Sequence, residues 1–115
     1  MIKLPWPPTV NHYYTVARGR KILSKEGRAY KDYCAQLMMV QGTEKIQADG
    51  YSVSIIARPP DRRKRDLDNI LKPLLDALGT YGAISDDSLI NDLRVQRFEP
   101  IKNGSVEILV SGVNE

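Results

Sequence analysis

Pro60-Asp-Arg-Arg-Lys-Arg-Asp-Leu-Asp-Asn-Ile-Leu-Lys-Pro-Leu-Leu-Asp76 places Arg62, Arg63, Lys64 and Arg65 directly before Asp66 and Asp68, with Lys72 one helical turn beyond Asp68. Residues i and i+2 share a face in extended chain but point to different sides of a helix, so both aspartates can face one way only if Asp66 lies outside the helix. From Leu67 the apolar residues Ile70, Leu71, Leu74, Leu75 and Leu78 recur at the spacing of a buried helical stripe, and Asp68, Lys72 and Asp76 form a polar row at i, i+4. The pattern predicts a helix from about Asp68 to Leu78, with Asp68 as N-cap, Pro73 costing one backbone bond or a kink, and Gly79 as the stop.

A second acidic pair, Asp86 and Asp87, follows the Gly79 to Gly82 reversal, which can return it towards the first pair. Carboxylates brought together repel and raise one another's pKa unless a cation lies between them. Hard divalent cations such as Mg²⁺ take oxygen ligands, acidify water and offset charge on a phosphate. The neighbouring cations would hold a polyanion, and Lys72 would stabilise transition-state charge or the leaving oxygen. The combination describes metal-assisted phosphodiester hydrolysis. Each part alone has a plainer reading, as a helix cap, a loop or a solvated surface; the ordered set of Arg-Asp-Leu-Asp-Asn, Lys72 and Asp86-Asp87 is harder to obtain as decoration.

Those residues, together with Asp76-Ala-Leu and the opening Leu4-Pro-Trp-Pro-Pro-Thr-Val-Asn-His-Tyr-Tyr14, closely resemble the RusA family of Holliday-junction resolvases over nearly the whole chain. The resemblance implies that Asp66, Asp68 and Asp87 are catalytic aspartates and metal ligands and that Lys72 is the catalytic lysine. It leaves the role of Asp86 open. Gly82-Ala-Ile-Ser85 departs from some relatives that carry bulkier aromatic residues there, which touches loop packing and substrate fit rather than the ligand set.

With 115 residues, 42% of them hydrophobic, the chain has the size of a single domain spanning 1–115 and can bury one core without disulfides. No apolar run is long enough for a membrane span and no signal peptide is evident, so a cytoplasmic protein is expected. One cysteine, Cys34, and one histidine, His12, cannot complete a zinc site, which leaves oxygen ligands for any metal. The net charge of +3 is modest, but the cations cluster at Arg18 to Lys31 and Arg58 to Arg65, a distribution suited to a polyanion and to salt-sensitive binding.

Elsewhere, Met1 to Leu4 reads as a short strand stopped by prolines that fix Trp6, and Trp6 reads as a core anchor before a base-stacking residue. Tyr13 and Tyr14 followed by Arg18, Gly19, Arg20 and Lys21 suggest a loop or hairpin tip that grips nucleic acid, or an ordinary surface loop. Ser24 opens a second helix that Gly42 stops. Tyr51 to Arg58 alternates as a strand. Asp92 to Phe98 and Ser105 to Ser111 are two more, and Asn103-Gly104 between them predicts an antiparallel hairpin. The fold class expected is α+β: a small mixed sheet with a C-terminal antiparallel hairpin, packed against two main helices.

The residues lead us to expect a metal-dependent nuclease using Mg²⁺, or alternatively Mn²⁺. The substrate implied by the resemblance is four-way junction DNA, and cutting two strands implies a homodimer with two equivalent sites. The rival readings are a non-catalytic basic DNA-binding module and a Mg²⁺-dependent hydrolase of other nucleic-acid structures.

Overall fold

The computed structural model describes residues 1–114. In chain order its elements are β1 (Ile2–Leu4), α1 (Val10–Tyr13), β2 (Tyr14–Ala17), β3 (Arg20–Leu23), α2 (Lys25–Val40), β4 (Gly50–Arg58), a 3₁₀ turn (Leu67–Ile70), α3 (Leu71–Tyr81), a second 3₁₀ turn (Asp87–Leu89), β5 (Ile90–Arg97) and β6 (Ser105–Val113). The α+β class and the mixed sheet are as the sequence suggests.

The sheet is built on β4. Tyr51, Val53, Ile55 and Ala57 alternate into the core while Ser52 and Ser54 face away, the period-two pattern of a half-buried strand. Strand order is β1-β6-β4-β5. β6 pairs antiparallel with β4 along its whole length, from Gly50↔Val113 to Arg58↔Ser105, and β5 pairs with the other edge in parallel.

This order corrects the expected C-terminal hairpin, because β5 and β6 lie on opposite sides of β4 and do not pair. The Asn103-Gly104 turn does form, with φ of 68° and 70°. The loop that contains it, however, passes over the end of β4: the Phe98 amide donates to Ala57 O at 2.9 Å and the Ile101 amide to Pro59 O at 3.0 Å. A local turn signal fixes a reversal, not which strand is met afterwards. A strand as apolar as β4 gains by having both of its edges paired. The hairpin of this fold is instead β2–β3, whose tip residues Arg18 and Gly19 both have positive φ, as a two-residue turn matched to strand twist requires.

α2 and α3 cover the core face, contributing Tyr30, Cys34 and Met38 from one and Leu74, Ala77 and Leu78 from the other. Ser24 caps α2 by accepting from the Gly27 amide at 2.9 Å, and its hydroxyl also donates to His12 O at 2.6 Å, which ties α1 to the start of α2. At Gly27 a side chain would be impossible: a Cβ would lie 2.4 Å from Tyr13 O. That close approach seats Tyr13 in the core.

The helix expected from about Asp68 to Leu78, stopped by Gly79, is shifted. Leu67 to Ile70 is 3₁₀, α3 proper begins at Leu71, Gly79 lies inside it, and Gly82 ends it with φ of 97° and its amide on Leu78 O at 3.0 Å. Pro73 explains the start. As the third residue of α3 its nitrogen falls among the first-turn positions that have no intrahelical partner, so no bond is lost and no kink follows. Gly79 carries no conformational demand there, whereas the left-handed position is three residues on.

Candidate active site

Two 3₁₀ turns flank α3, and each has an aspartate at its N-cap and another in its first turn. In the first, Asp66 is extended with φ −85° and ψ 132°, outside the helix as the i, i+2 argument requires. It is Asp66 and not Asp68 that occupies the N-cap position, and its carboxylate makes no capping bond. Asp68 stands in the turn itself. In the second, Asp86 accepts from the Ser88 amide at 2.9 Å, and that amide's bond to its carboxylate holds Asp86 below the usual carboxylate range. Asp87 is the first-turn residue.

Lys72, in the first turn of α3, lies between these two turns in the sequence, and Asp87 of the second turn is among the groups that act on its charge. Its ammonium is 3.1 Å from Asp76 Oδ1, one helical turn on. The bond to Asp76 is the main reason its pKa is raised, and Tyr14 and Asp87 add to the effect. Asp76 is held in turn: the Tyr13 hydroxyl donates to its Oδ2 at 3.0 Å. Burial, followed by this bond, pushes the Tyr13 hydroxyl above its ordinary value, so it stays a donor. The Tyr14 ring packs edge-on against Tyr13 with centroids 4.9 Å apart and carries the Lys21 ammonium 4.4 Å over its face.

The four cations before Asp66 are not equivalent. Arg65 bonds Asp61 Oδ1 at 2.6 Å, Arg63 approaches the same carboxylate at 3.7 Å, and Arg62 pairs with Glu99 at 3.0 Å where both side chains are exposed. Arg65 also holds the Asp61 carboxyl down to about 2. Lys64 makes no ion pair among the described residues. With Trp6, Leu67, Arg97 and Phe98, these cations and Asp66 line a cleft of about 540 Å³. Arg18, Arg20 and Lys21 stand apart from it on the exposed β2–β3 hairpin.

Asp66 borders that cleft, whereas Asp87 borders a second hollow shared with Asp76, Asp86 and Lys31. Among the described residues no three His, Cys, Asp or Glu side chains are gathered into a group that could hold a metal ion, so Asp66, Asp68 and Asp87 do not form a finished cage. The donor chemistry still suits a hard divalent cation. The candidate donors are all carboxylate oxygens, Cys34 is buried with its thiol pushed up to about 11 by burial, and the His12 ring is engaged with Thr9 Oγ1 at 3.2 Å.

Sequence reasoning placed Asp76 in the polar row of α3 but gave it no task, passed over Arg97, and set Tyr13 with Tyr14 on a loop gripping nucleic acid, whereas Tyr13 is fully buried and serves Asp76 instead. The i+4 spacing from Lys72 was the available signal for Asp76. Nothing local links Tyr13 to a residue 63 positions away.

Carboxylates on two turns, a lysine held by a neighbouring acid and an arginine-lined cleft beside them are the equipment of an endonuclease. The family model described as endodeoxyribonuclease RusA matches residues 5–111. The chain belongs to the RusA family. It is 39% identical over 110 residues to crossover junction endodeoxyribonucleases of Enterobacteria phage 82 and of Escherichia coli K12, covering 96% of this chain and 92% of each relative. A Shigella sonnei relative with the same description is 38% identical over the same coverage. No helix among the described residues is long and apolar enough to cross a membrane.

Proposed function

We propose that the chain, acting as one domain and as a homodimer in the cytoplasm, resolves four-way DNA junctions by hydrolysing one phosphodiester in each of two strands. The observation that carries this is the position of Lys72: it follows the turn bearing Asp66 and Asp68, is fixed by Asp76, and feels the charge of Asp87. Asp66, Asp68 and Asp87 would hold a divalent cation, Mg²⁺ or alternatively Mn²⁺, which supplies positive charge against the phosphate and makes water more acidic. Lys72 neutralises charge on the phosphate or the departing oxygen, and Asp76 with Tyr13 keeps its ammonium in place. Arg62, Arg63, Lys64 and Arg65 hold the backbone beside Asp66, and Arg18, Arg20 and Lys21 grip an arm of the junction.

Two cuts need two sites, and a two-fold dimer matches a substrate of similar symmetry. Sedimentation as a monomer both alone and on junction DNA would remove the dimer.

The deciding experiment compares wild type and Asp66→Asn on labelled four-way and linear DNA, with Mg²⁺ and with EDTA. Paired nicks in the junction, lost with EDTA or with Asp66→Asn while binding persists, support the reading. Cutting in EDTA, or undiminished cutting by Asp66→Asn, contradicts it. Salt-sensitive binding indifferent to Mg²⁺ and without nicks would make this a DNA-binding module.

A further inference from the structure

The cleft beside Asp66 has an aromatic wall that hydrolysis itself does not use. Trp6 and Phe98 both line it, and Phe98, directly after the edge strand β5, leaves 43% of its surface exposed. Both rings are fixed in place. The Phe98 amide is bonded to Ala57 O, and the Arg58 guanidinium carbon lies 5.3 Å from the ring centroid. The Arg65 guanidinium carbon lies 6.0 Å from the Trp6 ring centroid and is held by Asp61. The backbone carrying Trp6 is pinned where the Tyr30 hydroxyl donates to Pro5 O at 2.7 Å, and Gly104 makes room for it, since a Cβ there would come within 2.9 Å of Trp6 Cβ.

The rim is charged. Five cations, Arg62, Arg63, Lys64, Arg65 and Arg97, face three carboxylates, Asp61, Asp66 and Glu99, which leaves the cleft positive overall. Its volume falls within the roughly 300–1,000 Å³ range of small-ligand sites. Rings inside a rim of guanidinium groups suit a flat heteroaromatic carried on a phosphate backbone, because every base has a π-face and every nucleotide an anion. In continuous duplex those faces are covered by neighbouring pairs; where strands exchange, stacking is interrupted.

We propose that this cleft takes one unstacked nucleobase of the cut strand, next to the scissile phosphate, with its ring against Trp6 and Phe98 and its phosphate on the arginine rim. The proposal rests on the junction-cutting reading above and gives it a means of telling an exchange point from linear duplex.

Trp6 is the only tryptophan, so its emission reports on this wall directly. In EDTA, a four-way junction should quench Trp6 at saturation, and linear duplex of the same sequence should quench it much less. Phe98→Ala should weaken junction binding by roughly 5- to 150-fold, the range for losing one base stack, while duplex binding is unchanged; Phe98→Tyr should retain affinity. Unaltered Trp6 emission at full occupancy of the junction overturns the proposal, as does an equal loss on both DNAs with Phe98→Ala. If Phe98→Ala does not fold, the wild-type emission decides. Cutting of junctions in Mg²⁺ without a Trp6 response would sink the base pocket alone, whereas absence of cutting with a Trp6 response would sink the resolvase reading and leave the pocket.

Discussion

The two 3₁₀ turns at either end of α3 are built alike and employed differently. Both are short, both start from an extended aspartate, and both carry a further aspartate inside the turn. Asp86 turns its carboxylate back onto the Ser88 amide, so its charge is used to hold the turn. Asp66 makes no such bond, and its turn is closed by the backbone alone, the Asn69 amide donating to Asp66 O at 3.2 Å as the Leu89 amide does to Asp86 O at 3.1 Å. An N-cap aspartate is stabilising where it caps and available for other chemistry where it does not. The contrast assigns Asp86, which the sequence left ambiguous, to structure, and leaves Asp66, Asp68 and Asp87 as the proposed ligands.

The sharpest way to break this contrast is to exchange each N-cap aspartate for asparagine. Asp66→Asn should lower junction cutting by at least roughly 100-fold, the size of one lost electrostatic stabiliser, with little change in Tm. Asp86→Asn should leave cutting nearly intact, because asparagine caps as well as aspartate. Equal losses in single-turnover cleavage would show that the turns are not divided in this way.

Lys72 stands between the two turns in the chain, and its removal comes next in size. Lys72→Ala should slow cutting by about 10²- to 10³-fold with junction binding retained. Tyr13→Phe tests the support behind it. Loss of its hydrogen bond to Asp76 should cost about 1.5–3 kcal/mol, the range for a bond to a charged group, and should lower the cutting rate less than Lys72→Ala does. A Tyr13→Phe variant with wild-type Tm would mean that the hydroxyl holds nothing.

How much of this was legible in the chain follows from how local each cause is. The alternation of β4, the Ser24 cap of α2 and the placing of Asp66 outside the helix all depend on residues within a few positions of each other. The positions of β5 and β6 do not: whether β6 pairs with β5 or crosses to the far edge of β4 depends on which apolar edge needs covering. The shift of α3 has a local cause, since Pro73 has no amide to donate and fits without loss in the first turn of a helix beginning at Leu71. At the site, the i, i+4 row exposed Lys72 and Asp76, but Tyr13 reaches Asp76 only because Gly27 lets α1 press against α2.

The smallest expected effect is also the one that separates the turns by their protons. The Asp86 carboxylate is held below its ordinary value by the Ser88 amide, so its folded pKa is lower than its unfolded one. The contribution is therefore complete above the ordinary carboxylate pKa of 3.8 and is lost as pH falls through the lower folded value. Asp61, held down to about 2 by Arg65, loses its contribution over a window from 3.8 to about 2. Asparagine at 86 keeps the cap without the titration, so Asp86→Asn should match wild type in Tm at pH 7 and decline less below pH 4. Alanine, which cannot cap, should lie a few degrees lower at pH 7. Identical acid profiles for wild type and Asp86→Asn would mean that this carboxylate does not hold its turn, and the two turns would then be alike in function as well as in form.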